Sequence, residues 1–287
     1  MRRSTGALVV VVVALTPTAA AAWGLAAHRW VAGRAVELAR NECAVLVAGE
    51  GATLADLAVE PDTVLRARLG RREEVRHFLD LDAYGPPPFV ALPRGYDEAV
   101  RRYGRDLVRE RGVLPWHVGR LARRLRDQAA RRDWSGARRT AGHLAHYVAD
   151  ATMPLHATRN HDGQLTRQRG LHARVERRLV DARLDVYAPL ARQVRTGPSI
   201  PPIAVEGVLF ATLETSQATV ARLLAADHTA RRGTRVGSAR YYERMDAELR
   251  RVLAERLGAA AALTAALWRG ACHPAVSRSP SATLTER

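Results

Sequence analysis

The stretch His146-Tyr-Val-Ala-Asp150-Ala-Thr-Met-Pro154-Leu-His156-Ala-Thr-Arg-Asn160 decides how the chain reads. His146 and Asp150 are four residues apart, so on a helix they share a face and both can reach one metal ion. Pro154 then ends the helix, because proline cannot continue the hydrogen-bond ladder. His156 leaves in a new direction and can serve a neighbouring ion. Further on, His172 and Glu176 repeat the four-residue spacing at the start of the next helix. One such pair is weak evidence, since most lie on surfaces. Two pairs joined by Pro-Leu-His and a glycine-containing loop point to a metal centre, and imidazole with carboxylate suits zinc.

Around this stretch the chain reads as helix almost throughout. Ala, Arg, Leu and Glu dominate, and all are good helix formers. Helices are expected near Ala26–Val47, Tyr96–Arg111, Pro115–Arg132, Ser135–Thr152, His172–Val194, Ile203–Ala226, Ser238–Leu257 and Ala259–Gly270, with Asp97 and Ser135 as N-caps. Strand-type alternation is almost absent. The segments 82–94, 154–170 and 196–202, rich in Pro and Gly, are expected to be non-helical. The expectation is one all-α domain over residues 23–272, followed by a disordered tail at 273–287.

The composition excludes several classes. An apolar content of 47% excludes a wholly disordered chain, and two cysteines exclude a disulfide-framework scaffold or a Cys-rich zinc finger. Cys43 and Cys272 could pair and tie the first helix to the last in an oxidising compartment, or stay as two buried thiols. The 45 basic residues are all Arg and leave a net charge of +16, which suggests an anionic partner, nucleic acid or a membrane surface. Arg120, Arg123, Arg124, Arg131 and Arg132 lie on a helix with an apolar opposite face, so they read as a solvated surface.

Arg2 and Arg3, an apolar run from Ala7 to Leu15, then Pro17 and small residues through Ala22, form the pattern of a secretory signal over 1–22. The run is too short to span a bilayer, which takes about 20 residues. Cleavage after Ala22 makes Trp23 the first mature residue and, by removing Arg2 and Arg3, lowers +16 to +14. The expected location is secreted or periplasmic, with no transmembrane helix left after cleavage.

The His146–Asn160 stretch resembles the zinc-dependent phospholipase C signature His-Tyr-x-(Gly/Thr)-Asp-x-x-x-Pro-x-His-x-x-x-Asn, departing only at Ala149. The run from Asn160-His161-Asp162-Gly163 to Glu176 is also similar to that superfamily, which includes the single-strand-specific zinc nucleases. The resemblance implies a helical fold around three zinc ions, one of them bound by the amino nitrogen and carbonyl of an N-terminal Trp. It places Asp62, His77, His146 and Asp150 on one zinc, Trp23 and His28 on a second with Asp150 bridging, and His156, His172 and Glu176 on a third. Asp56 competes with Asp62 but fits the spacing to His77 less well. His117, His143 and His161 match no ligand position, although His143, one turn before His146, could support a ligand from outside.

What the resemblance implies is hydrolysis of a phosphodiester, with Asp62 and Asp150 as the catalytic carboxylates and a zinc-activated hydroxide as nucleophile. Glu176 and the His-Tyr signature favour a phospholipase C-like substrate, with peripheral membrane contact. The Trp23-to-His28 spacing and basic charge favour a single-strand-specific nuclease. A third reading is a protein that binds metal or anionic surfaces without turnover; under any of the three a monomer is expected. Because an acylated Trp23 nitrogen is a poor ligand, a chain carrying one residue before Trp23 is expected to bind fewer than three zinc ions. Metal analysis checks this, and full occupancy would contradict it.

Overall fold

The computed structural model describes residues 23–272. The expected signal, 1–22, and the expected disordered tail, 273–287, lie outside the described residues. Among the described residues every regular element is helical, so the all-α reading holds. The chain opens with α1 (Leu25–Ala39), α2 (Ala44–Val47) and α3 (Gly51–Leu57). A π-helical turn (Pro61–Leu65) leads into α4 (Arg66–Leu69) and α5 (Arg71–Glu74). Then come α6 (Tyr96–Tyr103), α7 (Arg105–Glu110), α8 (Leu114–Ala130) and α9 (Trp134–Thr152). A 3-10 turn (Pro154–Ala157) and a loop precede α10 (Leu171–Ala173), which runs into a second π-helical segment (Arg174–Val180). The chain finishes with α11 (Leu184–Ala191), α12 (Val205–Arg231) and α13 (Ala239–Cys272).

Boundaries differ from expectation where local chemistry intervenes. The first helix stops at Ala39, and the turn after it carries Cys43, which is bonded to Cys272. The expected helix 96–111 is split at Gly104, where φ is 80°. The cap of α9 is Asp133, not Ser135: the Asp133 carboxylate accepts from the Gly136 N–H at 2.9 Å. Gly95, not Asp97, precedes α6, and Asp97 sits in its first turn. The expected helix over His172–Val194 is instead a chain of short α, π and 3-10 segments. The two last helices fuse into α13, and Gly258, read as a break, lies inside it. A Cβ at Gly258 would stand 2.3 Å from the Ala191 carbonyl oxygen, so glycine is there for close packing of α13 on α11.

Helix α9 is the centre of the fold. It packs against α1, α3, α8, α12 and α13, and every residue from Leu144 to Thr152 is buried. One apolar cluster, including Leu54, Trp116, Leu144, Val148, Phe210 and Trp268, fills the side toward α8 and α12. The other, including Trp23, Val31, Met153, Val175, Tyr187 and Leu253, fills the side toward α11 and α13. Arg120, Arg124, Arg131 and Arg132 are exposed, as expected, while Trp116, Val118, Ala122 and Leu125 face inward. No helix of the described residues is long and apolar enough to cross a membrane.

Cys43 and Cys272 form a disulfide with a Cα–Cα separation of 5.6 Å. It joins the end of the α1 region to the end of α13. Closing so long a loop limits the unfolded chain and stabilises the fold by roughly 4–5 kcal/mol in the chain-entropy account. Replacing Gly258 with Ala is expected to cost about 1–3 kcal/mol through overpacking. Thermal or denaturant unfolding measures it, and unchanged stability would contradict the close packing of α13 on α11.

Candidate metal centre

Eight side chains from seven segments converge beside α9. His28 comes from α1, Asp62 from the first π-helical turn, and His77 from the bend after α5. His146 and Asp150 come from α9, His156 from the 3-10 turn, His172 from α10, and Glu176 from the second π-helical segment. Both π-helical segments carry a carboxylate of the site, and such segments are frequent at functional sites.

The side chains form three groups whose donor atoms could each hold a metal ion: Asp62/His77/His146, His28/His146/Asp150 and His156/His172/Glu176. The third is the set expected from the sequence. The first two share His146, and Asp150 stands between them. Its Oδ2 lies 2.9 Å from His77 Nδ1 and 3.4 Å from His146 Nε2, while its Oδ1 lies 3.5 Å from His28 Nε2. Asp62 faces the same point, with Oδ1 3.7 Å from His77 Nδ1 and Oδ2 4.0 Å from His146 Nε2. The competitor Asp56 is outside the cluster, exposed and paired with Arg29 at 3.2 Å.

Two of the rings are held by backbone carbonyls so that the other nitrogen points inward. His146 Nδ1 donates to the Ala58 carbonyl at 2.8 Å, which turns its Nε2 toward His77 Nδ1 at 3.1 Å. His156 Nδ1 donates to the His77 carbonyl at 2.5 Å, leaving its Nε2 3.1 Å from His172 Nε2. Glu176 Oε1 completes that group, 2.7 Å from His172 Nε2 and 3.4 Å from His156 Nε2. The His28 and His146 rings stack at 4.0 Å with 15° between planes.

A set of acceptors turned toward one another needs a cation. Among the described residues, nine buried side-chain atoms of His28, Asp62, His77, Asp150, His172 and Glu176 lack a hydrogen bond of normal geometry. Buried polar groups left unpaired are costly, and their concentration here marks where positive charge belongs. The protonation preferences of His28 and His172 agree, whereas at His77 burial is outweighed by Asp150 and Glu73, which raise the ring to about 9, so a metal ion there would displace a proton. Burial carries His28 well below the ordinary imidazole range, with His146 beside it adding to the effect. Burial likewise lowers His172 to about 4. Both rings are therefore neutral and able to ligate. Burial pushes the Glu176 carboxyl up to about 8, the mark of a carboxylate placed where water cannot stabilise its charge. Burial opposes the ionised form of Asp150 too, but His146 and His156 hold it well below the usual carboxylate range. The donor set therefore fits divalent metal ions.

Several supporting residues carried no signal in the sequence reading. Glu73, fully buried, lies one helical turn before His77 and faces its Nε2 at 3.6 Å. Glu73 also accepts from the Tyr147 hydroxyl and pairs with Arg76 Nη1 at 2.6 Å. Burial opposes its ionisation, but the hydrogen bonds from His77 and Tyr147 bring its carboxyl down to about 2. His143 contacts no candidate ligand; its Nε2 lies 2.7 Å from Glu60 Oε2, two residues before Asp62. Asp162 accepts from Gly170 N at 2.8 Å and from His172 N at 3.3 Å, which fixes the start of α10. Arg256 donates from α13 to the Thr152 carbonyl at 2.9 Å and to Ser216 Oγ at 2.6 Å, clamping the end of α9 where the chain turns toward His156.

A cleft of about 510 Å³ opens on one side of these groups, reaching His77, His156 and His172. Arg66, Arg71, Arg111 and Arg159 line it, with Glu74, Asp80 and Glu110 between them. Phe78, Leu155 and Leu165 give it an apolar portion, and Leu165 is exposed. His161, which matched no ligand position, also lines the cleft, its ring 6.3 Å from that of His172. Trp23 is fully buried, and its indole N–H donates to the Ala149 carbonyl at 2.9 Å, one residue before Asp150. No protein-family model matches the chain, and no curated protein matches it.

Replacing Glu73 with Gln removes the carboxylate that orients His77. Metal affinity is expected to fall about 10–100-fold with the fold intact. Competition against a chelating dye measures this, and unchanged affinity would contradict the orienting role.

Proposed function

We propose that this protein is an exported, zinc-dependent phosphodiester hydrolase of the phospholipase C and single-strand-specific nuclease type. The observation that carries the reading is the convergence of three His/carboxylate groups at the edge of an Arg-lined cleft. Zinc suits a donor set of imidazole and carboxylate without thiolate. Asp62, His77, His146 and Asp150 would hold one ion. His28 would hold a second with the Trp23 backbone groups and Asp150 as a bridge, and His156, His172 and Glu176 a third. The Trp23 indole bond to Ala149 supports this, since it keeps the start of the described chain beside the helix that carries Asp150. Bound ions of this kind neutralise phosphoryl oxygens and acidify water.

The chain's own residues supply the rest. Asp62 places a carboxylate at the meeting point of His77 and His146, where it can orient a water and take its proton. Arg66 Nη2 stands 2.9 Å from Asp62 Oδ1 and lines the cleft, so it links that carboxylate to the substrate side. Arg71, Arg111 and Arg159 offer guanidinium groups to the non-bridging oxygens of a phosphoester. The carboxylates among them keep the cleft from being a uniform basic track.

The substrate reading that the lining favours is a phospholipid. Single-stranded nucleic acid is usually bound by stacking on aromatic platforms, whereas Phe78 is the one Phe, Tyr or Trp in the lining. Leu155 and exposed Leu165 suit an acyl-glycerol portion, and such a substrate brings peripheral contact with a membrane. The cleft arginines favour the second reading, a nuclease. The Cys43–Cys272 bond supports export, because disulfides persist in oxidising compartments.

Zinc-loaded protein beginning at Trp23 is expected to release phosphorylated headgroup from phosphatidylcholine and to leave single-stranded DNA largely intact. The reverse result would assign the nuclease reading, and no turnover of either would leave a metal-binding protein without hydrolase activity. Asp62→Asn is expected to lower turnover by about 100-fold or more while the circular dichroism spectrum is retained. Unchanged turnover would remove Asp62 from the reaction.

A further inference from the structure

Away from the cleft, on the other face of the segment that carries Glu74 and His77, lies a second and smaller pocket. Its volume is about 190 Å³, and its walls are Arg72, Arg76, Arg109, Arg120 and Tyr96 with two valines. No carboxylate lines it. The cleft arginines differ in this respect, since Arg66, Arg71, Arg111 and Arg159 each have a carboxylate within 4 Å. In the small pocket Arg76 alone is paired, to buried Glu73. No ion pair joins Arg72, Arg109 or Arg120 to a carboxylate among the described residues, and Arg120 has only His117 Nδ1, at 3.4 Å.

From this geometry we propose that the pocket binds a phosphate-sized oxyanion, independently of the metal groups. Four guanidinium groups around one small cavity repel each other unless an anion sits between them. Although Arg120 is exposed as a residue, partial desolvation lowers the proton affinity of its guanidinium, and Arg76 across the pocket adds to this against the opposing effect of Glu206. Guanidinium is the side chain best matched to phosphate, offering parallel N–H donors in a plane. The Tyr96 ring packs edge-on against Trp116 with centroids 5.5 Å apart, which fixes one wall of the pocket. A space near 190 Å³ equals about six waters at roughly 30 Å³ each, enough for one tetrahedral oxyanion and part of its hydration. The pocket is set by α5 and the turn after it, α6, α7 and α8, and none of its lining residues belongs to a candidate metal group, although Arg76 directly precedes His77. The proposal goes beyond the hydrolase reading and does not depend on it.

The test is calorimetric titration of the metal-loaded chain with inorganic phosphate, beside the Arg109→Ala/Arg120→Ala double variant and its Lys counterpart. The wild type is expected to show two classes of site, at the metals and at the pocket. The double Ala variant should keep the metal class and weaken the other by about tenfold or more, with the Lys variant in between. Circular dichroism and metal content confirm that each variant is folded and loaded. A single class in the wild type, or a titration unchanged by the double Ala substitution, would overturn the proposal. Such a result would leave the hydrolase reading untouched, since neither arginine touches the cleft.

Discussion

The structure depends on one constraint: α9 carries a histidine and an aspartate into the middle of the protein, where neither can meet water. An apolar pair at those positions would let the helix pack as an ordinary core helix. His146 and Asp150 instead require partners, and the surrounding segments are bent to supply them. The Ala58 carbonyl accepts a hydrogen bond from His146 Nδ1, which turns the other nitrogen toward the centre of the group. Asp150 reaches His77 and His146 with one oxygen and His28 with the other. Carboxylates and imidazole nitrogens brought together out of water are stabilised by a cation among them, and where such a group binds metal, binding and folding are linked.

The rest of the fold reads as support for that arrangement. The 3-10 turn after α9 swings His156 beside His172, and a hydrogen bond to the His77 backbone ties the first group to the third. The two π-helical segments present Asp62 and Glu176 from backbone that a regular helix would orient otherwise. Arg256, a buried guanidinium from the long last helix, holds the end of α9 through carbonyl and hydroxyl oxygens. The disulfide fastens the first and last parts of the described chain around this centre.

Much of this was legible in the sequence because it depends on spacing. His146 with Asp150 and His172 with Glu176 are one helical turn apart, and Pro154 marks the turn between them. The helical class followed from residue propensities. His28, Asp62 and His77 came only through resemblance to a family, since nothing local distinguishes them from ordinary surface residues. Other features depend on three-dimensional packing and left no local pattern. Glu73 supports His77, yet Arg71-Arg-Glu-Glu reads as a charged surface turn. Gly258 looked like a helix break, because its role is a close approach to a segment far away in sequence. The sharing of His146 between two groups is a matter of distance that no spacing rule specifies.

The most direct test of the central claim is anomalous diffraction across the zinc absorption edge, on crystals of protein purified without added metal. The account predicts three peaks, one among Asp62, His77, His146 and Asp150, one beside His28 and Asp150, and one among His156, His172 and Glu176. Density showing those side chains hydrogen-bonded to one another and to water, with no anomalous signal among them, would contradict it.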